Sequence, residues 1–436
     1  MTKPREAKPT VQFIDSYSEL YKDLFAEVRA YEYFKYILLG LISEIKRKSL
    51  PEIAKIVGLE NSQGLHNFIT ESPWEAEVME KRRLEIILKV LEGKEIEVIV
   101  DETGDKKKGK TTDYVARQYI GRLGKVENGI VSVNAYGYCE GITFPLISKV
   151  YKPKLRLKEG EEYKSKPKIA MEIIRELISK GFKIRRILAD SEYGESHSNF
   201  ISEIEKLKIE YAVAIRSNHG VWLKKEEKVR ANRWRKFDHI NWEGKKETRY
   251  IREIIYGKKR KVQYWEITTD EEKVAPESTW FVMTRIANLN YKQVGEIYKN
   301  RGWIEYGFKQ SKSELGWADY RVTDYRAIRR WWELVMVAYL MISLHSNQWN
   351  PMVAPTPEQY LKHSGWNQKK GWKNSLNNLR LILQPYIYNN VISRWLKVFP
   401  NPQLSGILSK LISLMNGFDC LRFLVYLGDD FCYSSA

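Results

Sequence analysis

The sequence predicts a mixed α/β fold, an α+β arrangement in which helices flank a mixed sheet. Three observations predict it. Apolar residues recur at helical spacing up to about residue 93, β-branched runs follow after Gly93, and amphipathic helical segments then alternate with further strand-like runs. The chain has 436 residues, 43% hydrophobic and 29% charged, which is enough apolar material to bury a core. At roughly 150 residues per domain, that length suggests two to four domains.

Residues 1–93 read as a helical domain. Helical periodicity runs through 31–45 and again through 78–91. Between them lies SLPEIAKIVGLENSQGLHNFI, residues 49–69. Ser49 can cap a helix, Pro51 suits its first turn, Ile53, Ala54 and Val57 make an apolar face, and Gly58 ends it. A second helix can start near Asn61 or Ser62. Two short helices around a glycine turn describe a helix-turn-helix, whose second helix can enter a DNA major groove. An ordinary helical hairpin is the alternative.

Residues 94–216 read as the first part of a catalytic core. IEVIVD at 96–101 is β-branched and ends in an acid; VSVNAYGY at 131–138 alternates; FPLISKVY at 144–151 follows a turn at Gly141. Residues 168–180 form an amphipathic helix that Gly181 stops. RRILAD at 185–190 is a buried type of strand, again ending in an acid. Residues 199–207 are helical, and YAVAIR at 211–216 is the next strand. Three strands, helix, strand, helix, strand is the order of a ribonuclease H-like core.

Residues 217–278 read as a basic, β-rich insertion. Between 222 and 265 there are 15 Lys and Arg against 6 Asp and Glu, interleaved with Trp222, Trp234, Trp242, Tyr250, Tyr256, Tyr264 and Trp265. That mixture suits phosphates and unstacked bases; a charged meander whose aromatics pack its own small core is the alternative. The core resumes at 279–345, with TWFVMTRI as a strand, a helix over 290–313, and a helix over 326–344 whose later, nearly all-apolar part implies burial. Residues 346–436 mix Pro, Asn and Trp with short helices such as 404–414 and form a candidate assembly surface.

The net charge is +18, with a pI near 9.4. A globular chain this basic meets polyanions, because displaced counterions favour phosphate binding. An anionic membrane surface is the rival partner. No apolar stretch reaches the ~18 residues that would span a bilayer. MTKPREAKPT lacks the apolar region of a secretion signal, so a cytoplasmic, nucleoid-associated protein is expected. Cys139, Cys420 and Cys432 provide neither a disulfide framework nor a paired zinc spacing.

Asp101 and Asp190 each close an apolar strand, and acids at strand carboxyl ends face the crevice of an open sheet. Two carboxylates in one cleft repel, a divalent cation relieves that repulsion, and hard oxygen ligands select magnesium or manganese. Two such ions can activate an attacking oxygen and stabilise a leaving one at a phosphodiester. Glu305 is the third candidate. It lies in YKNRGWIEYGFKQSK, where Tyr298, Arg301, Glu305 and Lys312 share one helical face. Glu102 and Glu192 are rival acids, with strand alternation turning Glu102 elsewhere unless a turn redirects it. Most of the 55 Asp and Glu must be surface charges, so a single acid is weak evidence by itself.

The spacing Tyr298-x2-Arg301-x3-Glu305-x6-Lys312 resembles the Y-R-E-K signature of DDE-type insertion-sequence transposases. VIVDETGDKKKGK and VARQYIGRLGKVENG resemble the first-aspartate region of bacterial members, and ILADSEYG resembles the second. SELGWADYRVTDYRAIRRWWELVMVAYLMI resembles the helix after the glutamate. The resemblance covers roughly 95–345 and implies a ribonuclease H-like endonuclease core. It implies that Asp101, Asp190 and Glu305 are catalytic and hold two Mg2+ ions, with Mn2+ able to substitute. It implies that Tyr298, Arg301 and Lys312 contact double-stranded DNA near the cut. Such enzymes cleave transposon ends and join the freed 3′ hydroxyl to target DNA. Some pass through a hairpin stabilised by a flipped base on a Trp, for which Trp280 and Trp303 are candidates here; core aromatics are the alternative for both. Pairing two ends implies a homodimer. Lys106, Lys107, Lys108 and Lys110 either touch DNA or are solvated, and His197 reads as structural. The competing functions are a domesticated, inactive DNA-binding derivative and another ribonuclease H-like nuclease, such as a junction resolvase.

Overall fold

The computed structural model describes residues 5–223, 225, 228–229, 231–240, 245–256, 261–345, 366–367 and 371–417. Five helices come first: α1 (Gln12–Glu19), α2 (Val28–Ile42), α3 (Leu50–Ile56), α4 (Gln63–Thr70) and α5 (Ala76–Leu91). The α3–α4 pair is the two-helix element expected from the sequence. Pro51 sits in the first turn of α3, and Gly58 takes φ +76°, a left-handed conformation that glycine adopts without a Cβ clash.

Among the described residues, eleven strands then share one sheet. They are β1 (Ile96–Lys106), β2 (Ala116–Ile120), β3 (Lys125–Cys139), β4 (Ile142–Val150), β5 (Ile184–Ala189), β6 (Glu210–Ile215), β7 (Lys228–Val229), β8 (Arg235–Ile240), β9 (Lys246–Tyr256), β10 (Gln263–Thr268) and β11 (Thr279–Thr284). Helices α6 (Lys166–Ser179), α7 (Ser191–Gly194) and α8 (Ser202–Lys206) lie between β4 and β6 in sequence. The path runs β4–β3–β1–β5–β6, antiparallel up to β1 and parallel from β1 to β6. This mixed order is the ribonuclease H-like arrangement that the element order predicts. Val98, Ile99 and Val100 have no exposed surface, and each such side chain stabilises the sheet by roughly 1.5–3 kcal/mol.

β7 to β10 fall in the stretch read as an insertion, and they extend the core sheet. β11 pairs antiparallel with β6, β10 with β11, and β9 with β10. Several of its aromatics are occupied internally: Tyr264 and Trp265 are buried, and Arg252 lies 4.1 Å over Trp234; its Arg249 lies 4.6 Å over Trp280 of the resumed core. Trp222, by contrast, is 96% exposed. Trp242 lies outside the described residues.

Helices α9 (Tyr291–Lys299), α10 (Gly302–Ser313) and α11 (Tyr325–Leu344) follow. The single helix expected over 290–313 is thus two. Asn300, Arg301, Trp303 and Ile304 each donate to the carbonyl three residues back, a tightened turn that separates α9 from α10 while Asn300 and Arg301 keep helical dihedrals. α11 is buried from Ala327 to Leu344 apart from Arg329. Its Arg330, with no exposed surface, donates to the carbonyls of Ile69, Ser72 and Trp74. A cation at the end of α4 satisfies carbonyls that the helix leaves open, and it fastens the helical domain to the core. The C-terminal region, expected to hold only short helices, contains the 27-residue α12 (Trp372–Val398) before α13 (Pro402–Asn416). Among the described residues, no helix is long and apolar enough to cross a membrane.

Candidate active site

β1 and β5 run parallel with Val100 opposite Ala189, and their pairing ends there. Asp101 and Asp190 are the next residue on each strand. Neighbouring parallel strands lie about 4.8 Å apart, so equivalent positions present their side chains together. Beyond the fork β1 does not end, as the sequence suggests, but continues to Lys106 against β3 alone. On the other side Asp190 caps α7, its carboxylate accepting from the Glu192 amide at 2.9 Å. An acid at a short helix start also meets favourable backbone charge.

Glu102 joins them. One oxygen each from Asp101, Glu102 and Asp190 all lie within 4.8 Å of one another. Strand alternation alone points Glu102 the other way. The sheet is open beyond the fork, and there Lys166 at the start of α6 holds Glu102 at 3.0 Å while the Tyr193 hydroxyl donates to it at 3.2 Å. Lys166 also reaches Glu192 at 2.8 Å.

The four signature residues divide. The Arg301 guanidinium is 3.0 Å from Glu305 and 3.7 Å from Asp101, so it bridges the aspartate pair to α10. Glu305 itself is half exposed and lies outside the three-carboxylate cluster. Tyr298 is buried with its ring 6.0 Å from the Arg301 guanidinium. Lys312 is 7% exposed; its amine pairs with Asp105 at 2.6 Å and donates to the Gly104 carbonyl at 2.8 Å. It thereby ties α10 to β1.

The electrostatics follow from crowding. Burial pushes the Asp101 carboxyl well above the usual carboxylate range, with Asp190 and Glu102 adding to the shift and Arg301 opposing it. Burial and then Glu102 raise Asp190. Glu192 is pushed up to about 7 by burial and Glu102, against Lys166. Burial works against the Arg301 charge, but Tyr298, Asp101, Glu305 and Asp190 hold the guanidinium above its ordinary value. Clustered acids that resist ionisation, presenting only hard oxygen donors, are the donor set that suits a divalent cation. The residues present therefore fit such an ion.

The other sequence candidates stand apart. Lys107 lies 3.4 Å over the Tyr320 ring, and Lys106 pairs with Glu127 at 3.0 Å. Trp303 stacks on Tyr138, their centroids 5.6 Å apart. His197 is outside the acidic cluster. Cys139 is buried and free, while Cys420 and Cys432 lie outside the described residues.

Comparison with known proteins identifies the family. Residues 19–248 match the family model of the DDE superfamily endonuclease, and residues 164–341 match that of the transposase DDE domain. Over 325 residues the chain is 53% identical to the probable transposase for insertion sequence element IS701 of Microchaete diplosiphon, an overlap of 74% of this chain and 86% of that protein. The chain belongs to the DDE transposase family. Membership in the DDE superfamily implies use of a divalent metal, and in this chain three carboxylates lie near one another. The residue that sequence reasoning set aside is Glu102. Only its contacts with Lys166 and Tyr193, 64 and 91 residues away, reveal its place.

Proposed function

We propose that this protein is the DNA transposase of a bacterial insertion sequence, cutting the element's ends and joining the freed 3′ hydroxyls to target DNA. The observation that carries the reading is the register of Asp101 and Asp190, side by side where two parallel strands part. Asp101, Asp190 and Glu305 are the residues that would hold Mg2+, two ions in all, with Mn2+ as a substitute. Bound divalent ions supply activation of the attacking oxygen and stabilisation of the leaving oxygen. Charge supports that number. With all ionised, Asp101, Glu102, Asp190, Glu192 and Glu305 outweigh Lys166 and Arg301 by three negative charges. One divalent ion leaves the site anionic; two make it cationic and receptive to a phosphodiester.

The chain's own groups do the rest. Arg301 presents a fork of donors at the junction of Asp101 and Glu305, a geometry suited to phosphate oxygens. Lys312, through Asp105 and Gly104, fixes α10 against β1 and so keeps Glu305 at the mouth of the cluster. On α4, Gln63 and His66 are exposed, and this is the helix that would read a major groove. Two ends must be held at once, so the working form is a homodimer on DNA, acting in the cytoplasm.

The test uses duplexes carrying the inverted repeats that flank the gene. With Mg2+ the wild type should nick the repeat end and join it to a second duplex. Asp190→Ala should abolish both reactions while the gel shift of the repeat persists. Cleavage surviving in Asp190→Ala, or cleavage without any joining by the wild type, would remove the transposase reading.

A further inference from the structure

The acidic cluster before substrate arrives is not the expected trio. Asp101 and Asp190 have Glu102 as their third member, and Glu305 stands one arginine away. Magnesium and manganese sit at about 2.1 Å from oxygen ligands, so opposite ligands of one octahedral ion are a little over 4 Å apart. Oxygens already gathered within 4.8 Å need only a small inward movement to share an ion.

Glu102 is also held in place for that task. One of its oxygens accepts from Lys166 at 3.0 Å and the other from Tyr193 at 3.2 Å. A carboxylate fixed at both oxygens, on a strand and with its partners on two helices, loses little entropy on meeting a ligand. Lys166 and Glu102 are largely buried, so this is not a solvated surface pair. We propose that Glu102 is a further ligand of the divalent-ion site, completing with Asp101 and Asp190 a shell that forms without DNA, while Glu305 enters when DNA is bound. This rests on the metal-dependent reading above.

The test measures Mn2+ binding to the full-length protein without DNA, by the electron paramagnetic resonance of free Mn2+. Glu102→Gln keeps the shape of the side chain and removes its charge. It should weaken Mn2+ binding ~10-fold or more, as should Asp190→Asn, whereas Glu305→Gln should change it less than about 3-fold. Glu102→Cys guards against a folding artefact, because a thiolate ligand prefers a softer metal. It should bind Cd2+ more tightly than the wild type does, with new sulfur-to-metal absorbance above the wild-type background. If both Glu102 variants bind Mn2+ and Cd2+ like the wild type while Asp190→Asn is weakened, the proposal is overturned and Glu102 is only the ion-pair partner of Lys166. If Asp190→Asn also binds Mn2+ normally, the metal reading itself falls and takes the proposal with it.

Discussion

Arg83 and Glu333 grip each other in the interior across 250 residues of sequence, with Nε to Oε1 at 2.5 Å and Nη2 to Oε2 at 3.0 Å. The pair joins α5 to α11, and Arg83 also donates to the Pro145 and Leu146 carbonyls of β4. Three layers of the molecule therefore meet at one guanidinium. Burial raises the Glu333 carboxyl even with Arg83 opposing, while Glu333 holds the Arg83 guanidinium above its ordinary value against the same burial.

Breaking it should be costly, because one charge stays buried. Glu333→Gln or Arg83→Met should lower stability by about 3–5 kcal/mol. Replacing both by Leu should recover part of that loss, leaving a deficit of about 1–3 kcal/mol for the carbonyls Arg83 no longer satisfies. Chemical denaturation of the four proteins checks both statements; a loss in the double variant equal to the sum of the two single losses would show that the charges are not coupled.

Glu80 gives a pH signature. It is 6% exposed, and burial followed by Glu333 pushes its carboxyl up to about 7. A raised acid favours folding fully at pH below its unfolded value of about 4.5. That contribution is lost as pH rises through 7. Glu80→Gln should therefore gain stability over the wild type between pH 5 and 8, by up to about 3 kcal/mol at the upper end. Denaturation midpoints at pH 5, 6, 7 and 8 test the sign; a difference that is flat with pH would place the Glu80 carboxyl elsewhere on the scale.

Arg301 should matter through its fork as well as its charge. It touches Asp101 and Glu305 at once, which one ammonium cannot reproduce. Arg301→Lys should cut end cleavage about 10²-fold while leaving binding of the repeat within about 3-fold. Cleavage rates under saturating protein decide it, and near-wild-type cleavage by the lysine variant would reduce Arg301 to a simple counter-charge.

Much of this was legible in the residues, for identifiable reasons. Asp101 and Asp190 stand out because each follows an apolar run, and parallel register then brings them together. Glu102 was hidden because alternation points it away from Asp101, and the contacts that hold it, with Lys166 and Tyr193, come from distant parts of the chain beyond the point where β1 loses β5. Lys312 has the spacing of a phosphate ligand, but its partner Asp105 comes from β1, about two hundred residues earlier, where helical phasing carries no information. α12 escaped notice because Asn and Pro385 lower helix propensity. Burial of Leu376, Leu379, Ile382 and Leu383 outweighs that weakness.

Gly194 supplies a test of how tightly the cluster must be held. It ends α7, the turn that Asp190 caps, and it lies directly on β6. A Cβ there would sit 1.9 Å from the Ala214 carbonyl oxygen and 3.2 Å from Val213 Cγ2. Backbone cannot yield as a flexible side-chain tip can, so Gly194→Ala must move α7 off the sheet and carry Asp190 with it. A displacement near 1 Å at a reacting centre can cost about 10²-fold in rate. Gly194→Ala should therefore depress cleavage by roughly that factor and weaken Mn2+ binding, with the gel shift of the repeat unchanged because α4 packs on α2, α3 and α11. Full activity in this variant would mean that the Asp101–Asp190 register tolerates movement, and that the ions, not the backbone, impose the working geometry.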